Sequence, residues 1–517
     1  MLRCADKPQG KSAVMRFLGM SKGRDELTND VDAQTTTRRA ALIYGLGPVL
    51  LSACGGGSSD APPPVEPPPV VQPPVVQPPV VQPPVAAPAI AQSPANASAV
   101  AGGAVAFSVQ VNDSSGAAYQ WLRNGAEIAG ATASSLTYAP VSLLESGALF
   151  SVRVSNAAGS VTSQAATLTV TSPALTLIAG SLSQQGPVVF PIPAEIDGVG
   201  SSATFENPYQ VPSAVDDAGN LYIASMSYIA SASPGPVARS AIRKVAVDGT
   251  VTTFAGVKGE SASVDGVGSS ARFVNILALS FDRTRKLLLV IDDNHDADLT
   301  YRIREVTLNA AVTTRQAFAA RSPRFNAGGL VRVAWLPDGT ACIVGGSGTL
   351  ALPGFSPGPM FTAVFKLAPG GTPVLFAGDP QVPGYDDGVG PSARFSGPGW
   401  IAADAAGNLY VSDVYRLRRI SPDGTVNTIA GNRQWSPTAV DGQGAEARFR
   451  TVSSLVVENT GNVLLLDGEF VRRVTPDGRV TTIATLPSGV HDLAIGETGI
   501  LYAIGPSWVG RFDPFPA

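Results

Sequence analysis

The run Asp292-Asp293-Asn294-His295-Asp296-Ala297-Asp298 crowds hard oxygen donors into one short stretch. Donors at that density could hold Ca²⁺, with Asp292, Asp293 and Asp296 as the first candidates. The spacing is not that of an EF-hand, because the turn Gly and the closing Glu are missing, and a solvated acidic loop is the plainer reading. The chain has 2 His. A His-rich metal centre is therefore excluded, and a Ser-His-Asp triad would have to recruit His295 or His491. Trp400, Tyr415 and Arg416 offer aromatic and cationic surface suited to stacking on a sugar ring or a peptide. Of the 3 Cys, too few for a disulfide framework, Cys342 reads as a small core residue.

These residues sit in a degenerate repeat that fills residues 174–517. Asp197-Gly198-Val199-Gly200 leads to Phe205, and the pattern returns from Asp265 to Phe273, Asp387 to Phe395 and Asp441 to Phe449. An apolar strand follows each, and in three copies a Gly-Asn turn comes next, at Gly219-Asn220, Gly407-Asn408 and Gly461-Asn462. A later strand carries basic residues, as in Ile242-Arg243-Lys244-Val245 and Val471-Arg472-Arg473-Val474. Two weaker copies occupy residues 325–379 and 486–514, approximately.

Each copy reads as four short antiparallel strands. One such sheet cannot bury both faces, so it must stack on its neighbours, and four strands per unit describe propeller blades. The copies resemble NHL repeats, which implies a six-bladed β-propeller. Leu175 to Gly180 ends like a fourth strand and has no blade of its own, so it is expected to complete the sixth. The first-to-second and third-to-fourth turns are tight and share one face of the disc. The long second-to-third and blade-to-blade loops share the other, and binding is expected there. The Asp-Gly-x-Gly stretches read as structural turns, their Phe residues as wedges between blades, and the third-strand Arg and Lys as edge solvation.

The N-terminus reads as an export segment over residues 1–53. Arg38 and Arg39 precede the apolar run from Ala40 to Leu51, the order of a secretory signal; Met15 or Met20 could be the true start. Leu51-Ser52-Ala53-Cys54 resembles a bacterial lipobox, which implies cleavage before Cys54 and lipidation of its thiol. No Asp follows the Cys, which in that family favours the outer membrane. Thr37-Arg38-Arg39 also resembles a twin-arginine signal, but Ala41 stands where that family prefers Phe. Residues 54–88 then form a disordered proline-rich linker with Pro-Pro-Val-Val-Gln repeats. Proline removes the donors that helix and sheet need, so an extended rod of about 3.1 Å per residue is expected.

Residues 89–172 alternate with period 2 in short strands, the signature of a β-sandwich. Asn124-Gly125 after Trp121 suits a tight hairpin turn. The segment resembles an immunoglobulin-like domain, with Trp121 at the family's buried Trp position. Val109 and Val152 stand where that family has its disulfide pair, and Phe150 replaces its corner Tyr.

The expected protein is therefore all-β: an immunoglobulin-like sandwich followed by a six-bladed propeller. Net charge is −4, so no basic field invites nucleic acid. The first functional reading is an exported, lipid-anchored envelope protein, outer-membrane and non-catalytic, whose loop face binds a protein or carbohydrate partner. Its candidate face is Asp292, Asp293, Asn294, His295, Asp296, Trp400, Tyr415 and Arg416. The alternative is a Ca²⁺-dependent hydrolase or lyase acting on a lactone, ester or glycan, because some propellers that resemble this one hold such an ion on the axis. That use needs inward carboxylates from several blades. Asp216 and Asp404 end first strands, but their counterparts in other copies are not acidic.

Overall fold

The computed structural model describes residues 85–182, 195–205, 212–229, 237–257, 260, 262–294, 300–319, 332–345 and 363–512. The export segment, Cys54 and nearly all of the proline-rich linker lie outside the described residues, as do His295 and Asp296. Among the described residues no helix is long and apolar enough to cross a membrane.

Residues 90–171 form a β-sandwich. Its larger sheet runs in the order Ala97–Val100, Ala166–Thr171, Leu149–Asn156, Ala118–Arg123, Ala126–Glu127, with Gly159–Thr162 paired on Leu149–Asn156. Val105–Ser108 pairs with Ser135–Tyr138 across the core. Alternation decides the faces: Val105 and Phe107 point in on one strand, Phe150, Val152 and Val154 on another. Phe107 stacks on Phe150 at 4.6 Å between ring centroids, so an aromatic pair fills the corner. Val109 and Val152 share this core. Asn124 and Gly125 both take positive φ, 51° and 83°, the conformation a two-residue hairpin turn requires.

Residues 175–512 form six four-stranded antiparallel sheets. From the axis outward, the first holds Ser213–Val215, Leu221–Ile229, Val237–Val245 and Thr250–Ala255. The second holds Ile276–Asp282, Leu287–Asn294, Thr300–Thr307 and Ala311–Ala319. The third, fourth and fifth begin on Arg332–Trp335, Pro398–Ala403 and Val452–Val457. The sixth takes Asp492–Ile495, Leu501–Ile504 and Trp508–Phe512 from the C-terminal end of the repeat. Its outer strand is Leu175–Gly180, antiparallel to Trp508–Phe512. Successive inner strands are neighbours all the way round, the sixth meeting the first, which makes a closed six-bladed propeller. Closure by a strand from the opposite end of the repeat pairs the outer edge of Trp508–Phe512, which would otherwise be free.

The Asp-Gly-x-Gly stretches do more than turn. Gly198–Val199, Gly266–Val267, Gly388–Val389 and Gly442–Gln443 each add a short fifth strand outside the fourth strand of their own blade. The 3-10 turn that follows, such as Gly200–Ser202, lies on the outer strand of the preceding blade. Each stretch therefore staples two blades at the rim.

The sandwich abuts the fifth blade. The Ser142 hydroxyl donates to the Asp441 carboxylate, and the Thr485 N–H donates to Ser172 Oγ at 3.2 Å.

Candidate functional site

Four third-strand arginines, Arg243, Arg304, Arg418 and Arg472, are buried to 1% exposure or less. Edge solvation was expected of them; instead each cross-links its blade. Arg304 Nη2 lies 2.9 Å from Asp265 and Nη1 3.1 Å from Asp292. Arg418 joins Asp387 at 2.8 Å and Asp413 at 3.0 Å, and Arg472 joins Asp441 and Asp467 at 2.7 Å each. The repeat's Asp also accepts from a fourth-strand Thr N–H, as from Thr314 at 2.8 Å and Thr482 at 2.8 Å. The wedge Phe lies under the guanidinium, 4.6 Å away for Arg304 over Phe273. A buried guanidinium needs ionic and hydrogen-bonding partners to offset its desolvation, and this set supplies both.

The first blade varies the scheme. Ser225 stands where the others have Asp, and Glu195 reaches in to hydrogen-bond its hydroxyl at 2.5 Å and lie 4.0 Å from Arg243. The third and sixth blades drop the ions. Phe365 replaces the arginine in one. In the other, Trp508 covers Gly505 and Gly510, where any Cβ would meet its indole.

This network absorbs the proposed acidic loop. Asp292 and Asp293 lie within the strand Leu287–Asn294, not in a loop. Asp292 is fully buried and accepts from the Val274 and Asn275 N–H groups at 2.9 and 3.1 Å, Ser263 Oγ at 2.8 Å and Arg304. Burial pushes its carboxyl above the usual range, against the pull of Arg304. It is an internal anchor, with no lone pair directed to solvent. Asp293 is 4% exposed and its N–H donates to Asn275 O at 2.9 Å. Asn294 ends the same strand.

Arg416 is also tied inward, to Asp413 and to the Tyr385 carbonyl at 3.0 Å. Its guanidinium lies 4.7 Å from the Tyr385 ring, and that of Arg433 lies 5.1 Å from the same ring. A groove of about 670 Å³ opens here, lined by Tyr385, Asp386, Asn432, Arg433 and Gln434. Trp435, next in the chain, is 62% exposed. Tyr415 is half-buried and its carbonyl packs against Gly431. Tyr385, Arg433 and Trp435 were not singled out in the sequence; only their position in blade-to-blade loops marks them.

Trp400 belongs to a different place, the axial channel. The channel has a volume of about 490 Å³, walled mostly by apolar inner-strand residues such as Ala278, Ile401 and Leu493. Its polar groups lie at both ends, Asp282, Arg283, Asp404 and Glu497 at one and Ser213, Arg332 and Asp492 at the other mouth. Arg332, Ser454 and Asp492 occupy one register in three blades, opposite Val344, Leu466 and Ile504 of their second strands. Asp492, 4% exposed, accepts from Ser213 Oγ at 2.6 Å, Ser454 Oγ at 2.7 Å and the Leu493 N–H at 3.0 Å. Burial raises its carboxyl to a pKa of about 6 despite those donors. Arg332 lies over the Trp400 ring at 4.0 Å. Its desolvation brings the guanidinium down to about 10, with Asp492 opposing the shift. His491, beside Asp492 in the chain, is held neutral by burial, with a pKa of about 4.

This mouth does not fit a divalent cation. Ca²⁺ asks for six or more oxygens, several of them anionic. The mouth offers one carboxylate with a guanidinium across the axis from it, and among the described residues no group of three or more His, Cys, Asp or Glu converges. The counterparts of Asp216 and Asp404, expected to be non-acidic, are Asp282 and Glu458 in the second and fifth blades. These carboxylates toward the other end serve turns: Asp216 accepts from the Ala218 and Asn220 N–H groups at 3.0 and 2.8 Å, Asp404 from the Asn408 N–H at 2.8 Å, Asp282 from the Thr284 N–H at 3.0 Å and Glu458 from the Asn462 side-chain amide at 2.9 Å.

No known protein-family pattern matches the chain. A stretch of 109 residues is 31% identical to Teneurin-m of Drosophila melanogaster, covering 20% of this chain and 4% of that protein. A Bacteroides thetaiotaomicron protein of unknown function is similar over 83% of this chain and 98% of its own, at 16% identity and TM-score 0.43. A gluconolactonase from Xanthomonas campestris is similar over 66% of this chain and 96% of its own, at 12% identity and TM-score 0.37.

Proposed function

We propose that this is an exported envelope protein, lipidated at Cys54, in which a proline-rich stalk and an immunoglobulin-like spacer carry a non-catalytic propeller that binds a glycan on its loop face. The observation that carries the reading is the rim groove. Amide, carboxylate and guanidinium groups of Asn432, Gln434, Asp386 and Arg433 line it, and the next residue in the chain, Trp435, carries an exposed indole. Sugars are recognised by that mixture, an apolar ring face to stack on and planar hydrogen-bonding groups around it. Tyr385, flanked by two guanidiniums, gives the groove a rigid wall.

The test is affinity electrophoresis of the full chain through envelope polysaccharide. Retardation is expected, and Trp435→Ala should weaken it about tenfold, the loss of one central aromatic contact. Equal mobility with and without polysaccharide would overturn the glycan reading. Equal retardation of the wild type and Trp435→Ala would remove the groove from it. Lipidation is tested separately, by acyl-chain labelling that Cys54→Ser abolishes.

A further inference from the structure

We propose that the mouth of the axial channel binds a small zwitterion of the amino-acid kind, its carboxylate on Arg332 and its ammonium on Asp492. The site is independent of the rim groove.

Three observations lead there. Arg332 is 7% exposed, lines the channel, and its Nη2 has no hydrogen-bond partner. Leaving a buried guanidinium nitrogen without an acceptor is costly. Elsewhere in this propeller the four buried third-strand arginines meet carboxylates at 2.7 to 3.1 Å. Arg332 thus lines the channel and carries a donor that no group of the protein satisfies.

Next, Asp492 lines the same cavity, and the side-chain hydrogen bonds it accepts come from Ser213 and Ser454, not from Arg332. Arg332 starts the third blade's inner strand and Asp492 the sixth's. In a ring of six these two blades stand opposite each other, so the two charges face across the axis with a gap between. Asp492 Oδ2 accepts one hydrogen bond, from Ser213, which leaves it a lone pair for an incoming donor.

Finally, the charge balance selects the ligand. Arg332 and Asp492 cancel, and His491 is neutral. A simple anion would leave excess negative charge beside Asp492, and a simple cation would leave excess positive charge beside Arg332. A molecule carrying both signs meets both groups and leaves the low-dielectric mouth neutral. The apolar wall of Ile401 and Leu493 and the Trp400 edge suit its hydrocarbon part. The volume of about 490 Å³ lies in the range of small-molecule sites.

The experiment is calorimetry on the full chain with alanine, β-alanine and 4-aminobutanoate, which span the gap with increasing charge separation. Acetate and methylamine serve as single-charge probes. At least one amino acid should bind saturably and about tenfold or more tighter than either single-charge probe. Arg332→Gln and Asp492→Asn should each weaken it by about tenfold or more. Asp492→Asn is isosteric, so it keeps a folded reference should Arg332→Gln lower stability. Acetate binding as tightly as the amino acids would overturn the zwitterion assignment in favour of a plain anion site. No saturable binding of any probe up to about 10 mM would overturn the site itself.

Discussion

Asp441 and Arg472 stand 31 positions apart in the chain and are joined by a 2.7 Å hydrogen bond. The same bond links Asp387 to Arg418, Asp265 to Arg304 and Asp197 to Arg243. One end of each bond belongs to a rim staple that also touches the preceding blade, the other to the third strand. Stretches that read as structural turns, and arginines that read as edge solvation, together form an internal brace, repeated wherever the Asp-Gly-x-Gly stretch is intact.

The two partners of one arginine should differ in worth. Arg418→Met strips Asp413, fully buried, of a charge partner and leaves Arg416 to balance it alone. A cost of about 3–5 kcal/mol is expected, as for a broken buried pair. Asp387 is 44% exposed on its side chain. Asp387→Asn, which keeps an oxygen acceptor, should cost about 1 kcal/mol or less. Urea unfolding of both variants gives the comparison, and equal losses would mean that the buried half of the brace carries no special weight.

Gly431 is where the staple and the wedge meet. Its φ is +81°, and a Cβ there would lie 2.2 Å from the Tyr415 carbonyl oxygen and 2.8 Å from the Phe449 ring. Gly499 has φ +75° and open space around it. Gly499→Ala should therefore show the left-handed strain alone, about 1 kcal/mol. Gly431→Ala adds a backbone clash and should cost several times more, read as a drop in the unfolding midpoint at unchanged m-value.

Much of this fold could be read beforehand, because its units repeat. Gly-Asn and Asp-Gly turns punctuate the strands, and Phe205, Phe273, Phe395 and Phe449 mark the joints between blades. The brace was harder to see. Arg243, Arg304, Arg418 and Arg472 alternate with apolar neighbours, and alternation alone cannot tell a solvated face from one buried between blades. The axial mouth was hidden for another reason. Arg332 and Asp492 fall in the two eroded copies, where alignment is poorest. Placing the copies in register would have exposed them: one inner-strand position holds Arg332, Ser454 and Asp492 in three blades and apolar residues such as Ala278 nearby in another. His295 and Asp296 stay outside the described residues, so the acidic run is accounted for through Asp292, Asp293 and Asn294 alone.

The strand that closes the ring gives a third prediction. A chain starting at residue 174 keeps Leu175–Gly180 on Trp508–Phe512. One starting at Ser181 exposes Trp508–Phe512 as a free edge, with its unpaired backbone groups available to another molecule. The first should remain monomeric by size-exclusion chromatography. The second should self-associate and melt earlier. Identical melts and elution would mean that the sixth blade holds without its borrowed strand.

The channel mouth makes stability depend on pH in a way that two variants can dissect. Asp492 titrates near 6 in the folded protein and near 3.9 unfolded. Between those values the folded state holds the extra proton, so this group's stabilising contribution is complete below about pH 4 and is lost as pH rises through 6. His491 runs the other way. Its folded value is about 4 against about 6.5 unfolded, so its contribution is complete above about 6.5 and is lost as pH falls through 4. Over about pH 4–6 the two slopes oppose, and the wild type owes little net pH dependence to this pair. Asp492→Asn leaves the His491 slope uncompensated. Relative to wild type, its unfolding free energy should rise with pH across that window, by up to about 1.4 kcal/mol per unit. His491→Gln should show the mirror image, a relative fall with rising pH. The remaining carboxylates are common to all three proteins and cancel in the differences. Urea titrations at about pH 4, 5 and 6 supply the slopes. A curve for Asp492→Asn that stays parallel to wild type would show that Asp492 ionises as an ordinary surface carboxylate, and that the mouth is wetter than its burial indicates.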